Sequence, residues 1–422
     1  MLNSLGPLEN GSVVIIGGGP GGTACALALQ RMAADMGRDI KLTIVEGKQF
    51  VGEMHYNQCL GVLAPPLPSL LSEQLGVKFP YHLSRSQISR YILHTAQEMI
   101  ILDDIYQPSV ALRRVQYDDY MLEQAREHGI SVLTARAVDL EFHADRAVVY
   151  TDSAPLEADV IVGAFGMDDG SSSMFRRLTP YRPPQALSSI VTKYHPPLEY
   201  MQTFGPCIHA FLPSIHNIEF GGITSKGNHI SINIAGKNVD AELMKIFLEL
   251  PEVRRVLPDP CCETADNPLD LQFYKGRIPY SEAHGYFGDR FVIVGDAAGL
   301  VRAFKGKGVT TAVMTGIRAA EAILQHGVSE TAFSEYYNHA NQDIIQDLPY
   351  GQVMRYFTMF LARHRLLDPV IRAARKSTPL QSALFDAVSA HAPYRNVIRQ
   401  SLRLNLIWAV LQSWVNPGNS LA

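Results

Sequence analysis

The chain has 422 residues, with 37 Lys plus Arg against 41 Asp plus Glu and a formal net charge of −4. Apolar residues make up 47% and charged residues 18%, the balance of a globular protein with a sizeable core and no basic face for nucleic acid. No run reaches the ~20 apolar residues that a spanning helix needs, and the five cysteines, Cys25, Cys59, Cys207, Cys261 and Cys262, have no metal-ligand spacing. An odd cysteine count without a secretory pattern at Met1 to Asn10 predicts reduced thiols, a cytoplasmic protein and no metal.

In chain order, the β-branched run Ser12 to Ile16 predicts a strand stopped by glycines. Thr23 to Met36 has helical spacing, and Ile40 to Glu46 returns to a strand, so the three form one βαβ unit with a parallel sheet. Gly61 to Pro80 reads as a crossing loop with a short helix, and Tyr117 to His128 as a helix. Ser131 to Leu133, Ala147 to Tyr150 and Val160 to Val162 are expected as strands returning to the first sheet. From about Leu187 to Asn238 the pattern turns to alternating β, as in Ile230 to Ile234, and predicts an antiparallel sheet. Phe291 to Val294 is a further buried strand, followed by a long helix over Val309 to Gln325. Beyond Glu330 the chain reads as helical. Tyr350 to Leu367 fits a core helix, although Arg355, Arg363 and Arg365 flank it in a way also compatible with peripheral membrane contact. The expected fold class is α/β. A Rossmann-type dinucleotide domain comprises residues 1–186 and 287–330, an antiparallel substrate sheet 187–286, and a helical C-terminal region 331–422.

Chemistry enters at Gly17-Gly18-Gly19-Pro20-Gly21-Gly22, a G-x-G-x-x-G turn placed directly after a strand and before a helix. The first glycine allows the tight turn, the second lets a pyrophosphate approach the backbone, and the third lets helix and strand pack closely. Phosphates then meet the positive end of the helix. Glu46, closing the second strand, stands where an acid accepts hydrogen bonds from an adenosine ribose. A second glycine site decides between NAD and FAD. Gly295-Asp296-Ala297-Ala298-Gly299 follows a strand, and Gly306 and Gly308 precede a helix that begins at Val309. An aspartate there can accept from a ribityl hydroxyl, and backbone N–H groups at the helix start suit a ring whose negative charge rises on reduction. The cofactor expected is FAD.

With these segments in place, the sequence resembles the geranylgeranyl reductase family of FAD-dependent oxidoreductases, whose wider group includes aromatic hydroxylases and flavin halogenases. The family's Arg-x-x-Phe-Asp segment is matched by Arg114-Val115-Gln116-Tyr117-Asp118, with Tyr for Phe. The resemblance implies FAD contacts at Gly21, Glu46, Arg114, Val138, Asp296, Gly308 and Val309. Cys59-Leu60-Gly61-Val62-Leu63-Ala64-Pro65 looks like the family's Cys-x-Gly-x-Leu-x-Pro segment, which places Cys59, Leu60 and Gly61 over the flavin and makes Cys59 the candidate catalytic residue. The implied reaction is hydride transfer from reduced flavin to a carbon–carbon double bond of an apolar, isoprenoid-like small molecule. The electron donor, NAD(P)H or a redox protein, stays open. Two departures qualify the match. Ala164-Phe165-Gly166 replaces the relatives' Ala-Asp-Gly, with Asp168-Asp169-Gly170 reading as an ordinary polar turn. Ile208 to Pro213 keeps only the proline of the reductases' Tyr-x-Trp-x-Phe-Pro. Arg302, Lys305 and Lys307 cluster near the second glycine site, and His209, His216 and His229 fall among strands without metal spacing. The alternatives are a flavin monooxygenase or halogenase acting on an aromatic substrate, and a flavoprotein that carries electrons to a protein partner.

Overall fold

The computed structural model describes residues 5–50, 59–103, 108–257, 271–302, 308–389 and 392–401. Along the chain, β1 (Asn10–Ile16), α1 (Pro20–Asp35) and β2 (Asp39–Val45) form the expected βαβ unit. They are followed by a hairpin of β3 (Arg90–His94) and β4 (Met99–Asp103), then α2 (Arg114–Glu127), β5 (Ser131–Leu133) and β6 (Val160–Gly163). Next come β7 (Ala186–Tyr194), β8 (Cys207–Phe211), β9 (Ile218–Ser225), β10 (Ile230–Gly236) and β11 (Tyr274–Pro279). The short pair β12 (Phe287–Gly288) and β13 (Phe291–Ile293) precedes α3 (Gly308–Gln325).

The first sheet runs in the order β12-β13-β6-β1-β2-β5, and all its neighbours are parallel except the β12–β13 hairpin. Its central strands are buried on both faces: Val13 to Ile16 and Val160 to Val162 are at most 3% exposed. This explains why they read as unbroken apolar runs rather than alternating ones. One expectation fails here. Ala147–Thr151 does not return to this sheet but is the middle strand of a small antiparallel sheet with Ala137–Phe142 and Leu156–Ala158. Both of its connections are short, and short connections can join only antiparallel neighbours.

The second sheet has seven strands in the order β11-β7-β10-β9-β8-β3-β4. It is antiparallel except where β8 lies parallel to β3. Residues 90–103 therefore extend this sheet from far upstream in the sequence, and the helix Leu198–Phe204 interrupts the β pattern between β7 and β8. One face is sealed by a core of Ile190, Phe211, Ile223, Ile230, Ile232 and Ile234 with Met244 and Phe247.

The C-terminal region is largely helical through the described residues, as expected, with helical segments from Glu330 onward and α4 (Leu348–Arg363) as its longest described helix. Its helices pack Ala362, Leu367, Ile371 and Phe385 on Tyr91, Leu93, Ile100 and Leu102 of the upstream hairpin. Glu98 of that hairpin pairs with Arg372 at 3.0 Å and Arg375 at 2.8 Å. Arg355 is not a surface flank of α4: it forms a buried bidentate ion pair with Glu219 of β9, and its guanidinium lies 4.1 Å from the centre of the Tyr280 ring. Phe357 and Phe360 turn outward, so α4 is half core and half surface. No helix among the described residues is long and apolar enough to cross a membrane. The apolar run from Leu402 to Trp414 lies outside the described residues.

Removing one partner of a buried pair leaves the other charge uncompensated. Glu219→Gln is predicted to cost roughly 3 kcal/mol of stability, the order expected for breaking such a pair, measured by urea unfolding. A loss below about 1 kcal/mol, the size of an exposed pair, would show that Arg355 does not tie α4 to the sheet.

Candidate functional site

Three of the fingerprint glycines differ in what they do for the fold. Gly17 has φ +107°, and a Cβ there would lie 2.5 Å from the Ala164 carbonyl oxygen. A Cβ on Gly22 would lie 2.0 Å from the Gly17 oxygen. Both are required by the protein's own backbone. Gly19 is not: its φ of −72° and ψ of −176° suit any residue, and nothing among the described residues lies within 4 Å of where its Cβ would be. It caps α1, has Pro20 behind it, and no side chain caps the helix start. The turn thus leaves open space at the positive end of a helix, where an anion fits. Gly18 N–H donates to Glu46 Oε2 at 2.9 Å, and Lys48 N–H donates to Oε1 at 2.8 Å. These bonds hold the Glu46 carboxylate at the end of β2 with lone pairs to spare. Val138 is 54% exposed on the small sheet, two residues beyond Arg136, whose side chain covers Gly47.

The second glycine site abuts the first. A Cβ on Gly21 would come within 3.2 Å of Val294 Cγ2 and 3.4 Å of the Ala312 oxygen. Gly295 has φ +62°, and its N–H donates to Thr315 Oγ1 at 3.0 Å. Asp296 follows on a single 3-10 turn, its Oδ1 3.2 Å from the Cβ position of Gly308 at the start of α3, and Val309 is buried. Burial pushes the Asp296 carboxyl pKa up, while Arg114 pulls it down. Gly306, Lys305 and Lys307 lie outside the described residues, and Arg302 is half-buried.

Arg114 joins this site to the cysteine loop. Its Nη2 donates to Asp118 Oδ1 at 3.0 Å and Oδ2 at 3.3 Å, while its Nε is buried without a hydrogen-bond partner among the described residues. Burial works against its charge, but Asp118 and Cys59 hold its pKa above the ordinary value. In the loop, Gly61 has φ +63°, and a Cβ there would lie 2.1 Å from the Leu112 oxygen and 2.9 Å from Lys226 Nζ. Gly61 N–H donates to Cys59 Sγ at 3.2 Å, and Leu60 lies against Gly222 of β9. Arg114, Asp296 and Cys59, far apart in sequence, are thus electrostatic neighbours. Sequence reasoning missed Lys226, whose Nζ donates to the Cys59 oxygen at 2.7 Å. It sits in the β9–β10 turn, where a lysine followed by glycine looks like a solvated tip.

The departures from the family pattern have structural roles. Phe165 enters the core, its ring 5.3 Å from Phe175 and 6.0 Å from Tyr181. Asp168 accepts from Ser171 N–H at 2.8 Å as the cap of the helix Asp169–Leu178, and Asp169 pairs with Arg277 at the surface. Ile208 and Ala210 share a face with Gly222 and Thr224, whereas His209 points to the other side. There its Nδ1 meets His94 Nε2 at 2.8 Å. Burial lowers the pKa of His209 to about 4 and, with His209 and Arg255 adding to it, that of His94 to about 3. No group of side chains able to hold a metal occurs among the described residues.

Neither a protein-family model nor a curated protein sequence matches the chain. Solved structures do. A geranylgeranyl bacteriochlorophyll reductase-like protein from Thermoplasma acidophilum superimposes with a TM-score of 0.70 at 16% identity, covering 93% of this chain and 98% of that one. The flavin-dependent brominase Bmp2 matches at 0.61 and 18% identity over 93% of this chain and 98% of its own. The p-nitrophenol 4-monooxygenase of Pseudomonas putida DLL-E4 matches at 0.62 and 14% identity over 98% and 100%. The fold is therefore that of the flavin-dependent reductases, halogenases and monooxygenases, shared over nearly the whole chain.

The contrast between glycines gives a prediction about the fold alone. Gly19→Val should leave unfolding free energy within about 1 kcal/mol of the parent, because its backbone is ordinary and its surroundings are open. Gly22→Val should destabilise by several times that, roughly 4 kcal/mol or more, through backbone overlap. Equal losses in the two variants would refute the distinction.

Proposed function

We propose that the chain is an FAD-dependent oxidoreductase that reduces a carbon–carbon double bond of a largely apolar small molecule. The observation that carries this reading is the open space at Gly19. It is a glycine that the polypeptide does not need, placed at an uncapped helix start and next to a second glycine site. The residues present fit FAD. Gly19 and the N–H groups of α1 would hold the pyrophosphate, Glu46 a ribose, and Asp296 the ribityl chain. The buried Arg114 Nε has no partner among the described residues and can donate to a neighbouring acceptor. FAD, when bound and reduced, supplies the hydride. The chain supplies the setting: Cys59 holds a proton at Sγ, Gly61 lets the loop backbone pass close by, and Leu60 shields the site on the side of β9. Cys59 or water then provides the proton that completes the addition.

Purified protein is expected to release FAD on denaturation, and Gly19→Val to fold yet retain none, because the new side chain fills the phosphate space. Asp296→Ala should weaken FAD binding by roughly 1–3 kcal/mol for one lost hydrogen bond. Stoichiometric flavin in folded Gly19→Val, or FMN alone in the parent, would overturn the assignment.

The thiol role is tested separately. Cys59→Ser should keep FAD but slow reoxidation of the reduced protein by substrate, since a hydroxyl is a far weaker acid than a thiol. Anaerobic stopped-flow absorbance measures this. Unchanged rates in Cys59→Ser, Cys59→Ala and Cys59→Leu would remove Cys59 from the chemistry. Oxygen uptake coupled to product would instead assign the chain to the monooxygenases.

A further inference from the structure

One face of the seven-stranded sheet looks at the cysteine loop, and the strand register shows which residues share it. Gly222 fixes the face, since its Cβ position lies 2.7 Å from Leu60 Cδ1. Thr224 and Lys226 follow at two-residue spacing and point the same way. Across the ladder Thr224 is opposite Ser231, and Ser231 is opposite Lys193. The hydrogen bond from Lys226 N–H to the His229 oxygen, 2.8 Å, continues the pairing and sets His229 beside Lys226.

Buried polar atoms in this corner lack partners. Ser231 is 1% exposed and His229 5% exposed, and neither Ser231 Oγ nor His229 Nε2 has a hydrogen-bond partner among the described residues. Lys226 is 4% exposed, and among those residues its amine makes one hydrogen bond, to the Cys59 oxygen. An ammonium has three donors, so two remain for something else. Burying such groups unsatisfied costs about 1–3 kcal/mol each, which a ligand of matching chemistry would recover.

The charge of the corner says which chemistry. The groups that act on Lys226 are Cys59, Lys193, Arg114 and Arg113, and those that act on His229 are Lys226, His195, Lys193 and Arg113. Cations predominate, and the carboxylate of Asp118 is already held by Arg114. Burial first, and these cations next, lower the Lys226 pKa to about 8 and that of His229 to about 3. His229 is therefore neutral, and with Nδ1 3.0 Å from Asn228 Oδ1 the ring proton is assigned there, leaving Nε2 free to accept a hydrogen bond.

We propose that Lys226, Ser231 and His229 form a head-group subsite that holds an oxyanion of the substrate, a carboxylate or a phosphate monoester, with the apolar body running toward Leu60. This deepens the flavoenzyme reading and rests on it for the word substrate. The Lys226 ammonium and the Ser231 hydroxyl donate to the oxyanion. His229 Nε2, on the neutral ring, accepts a hydrogen bond from a head group that keeps one proton, such as the monoanion of a phosphate monoester. Lys226 also ties the head group to Cys59, since a single amine touches both.

The test is calorimetric titration of the FAD-loaded protein at pH 7 with octanoate, octyl phosphate and octanol. At least one anion is expected to bind about tenfold or more tighter than octanol, the scale of one charge-assisted hydrogen bond. Whichever anion does so identifies the head group. Lys226→Met should abolish the difference and Lys226→Arg should keep part of it. In the parent protein the dissociation constant of the anion should be flat from about pH 7, where both head groups are ionised, to about pH 8. Above that it should rise about tenfold per pH unit as Lys226 loses its proton. Anions binding no tighter than octanol, or a difference that survives Lys226→Met, would overturn the proposal. If Lys226→Met fails to hold FAD because the cysteine loop has shifted, Ser231→Ala decides. It should weaken the anion by about fivefold for one hydroxyl and leave octanol unchanged, and an unchanged anion would overturn the subsite. A parent protein that binds no FAD would sink the flavoenzyme reading, and the same titrations on that protein would still judge the subsite by itself.

Discussion

The structure depends on one close approach, the crossing of α1 and α3. A Cβ on Gly316 would lie 2.4 Å from the Gly21 oxygen and 3.0 Å from the Cys25 nitrogen. Only a bare Cα lets the two backbones come this near. The consequence is geometric. The helix that starts at the first glycine turn and the helix that starts beyond the second are locked together near their N-termini, so two loops from opposite ends of the dinucleotide domain open onto the same space. Thr315, one residue before Gly316, reinforces the contact by accepting from Gly295 N–H at 3.0 Å. Without the crossing, each glycine turn would be a local feature.

From that joint the site grows outward through charge rather than through regular structure. Asp296 is partly buried, and Arg114 is the cation that offsets it. Arg114 in turn is shared with Asp118 and faces Cys59. Lys226 comes from the other sheet and holds the Cys59 carbonyl. The cysteine loop is therefore held from two sides, by Leu112, whose N–H donates to the Gly61 oxygen at 2.9 Å, and by Lys226 from the β9–β10 turn. Backbone hydrogen bonds from both sides fix the position of Cys59 better than a free loop would.

The C-terminal helices close the arrangement. They cover the apolar end of the seven-stranded sheet and are tied to it by Glu98 and by the buried Glu219–Arg355 pair. The uncovered part of the same face, near the cysteine loop, is polar and cationic. One sheet face thus divides into an apolar end packed in the core and a polar end beside the cysteine loop.

Local pattern was enough to show the dinucleotide fold. A strand, a glycine turn, a helix and a closing acid lie within the first 46 residues, a local order that needs no distant segment to be read. The second glycine segment was legible for the same reason, whereas Asp168-Asp169-Gly170, read as a polar turn, is the capped start of the helix Asp169–Leu178. Three things were not legible. The hairpin at 90–103 was not assigned to the seven-stranded sheet, because its parallel pairing with Cys207–Phe211 joins residues more than a hundred positions apart. Ala147–Thr151 was assigned to the wrong sheet, because an apolar strand does not state its partner. Lys226 looked like a turn residue, and only the packing of β9 against the cysteine loop takes it out of water. The common reason is that periodicity and glycine placement encode how a segment bends and which face it buries, while pairing partners and electrostatic neighbours are set by which distant segment arrives there.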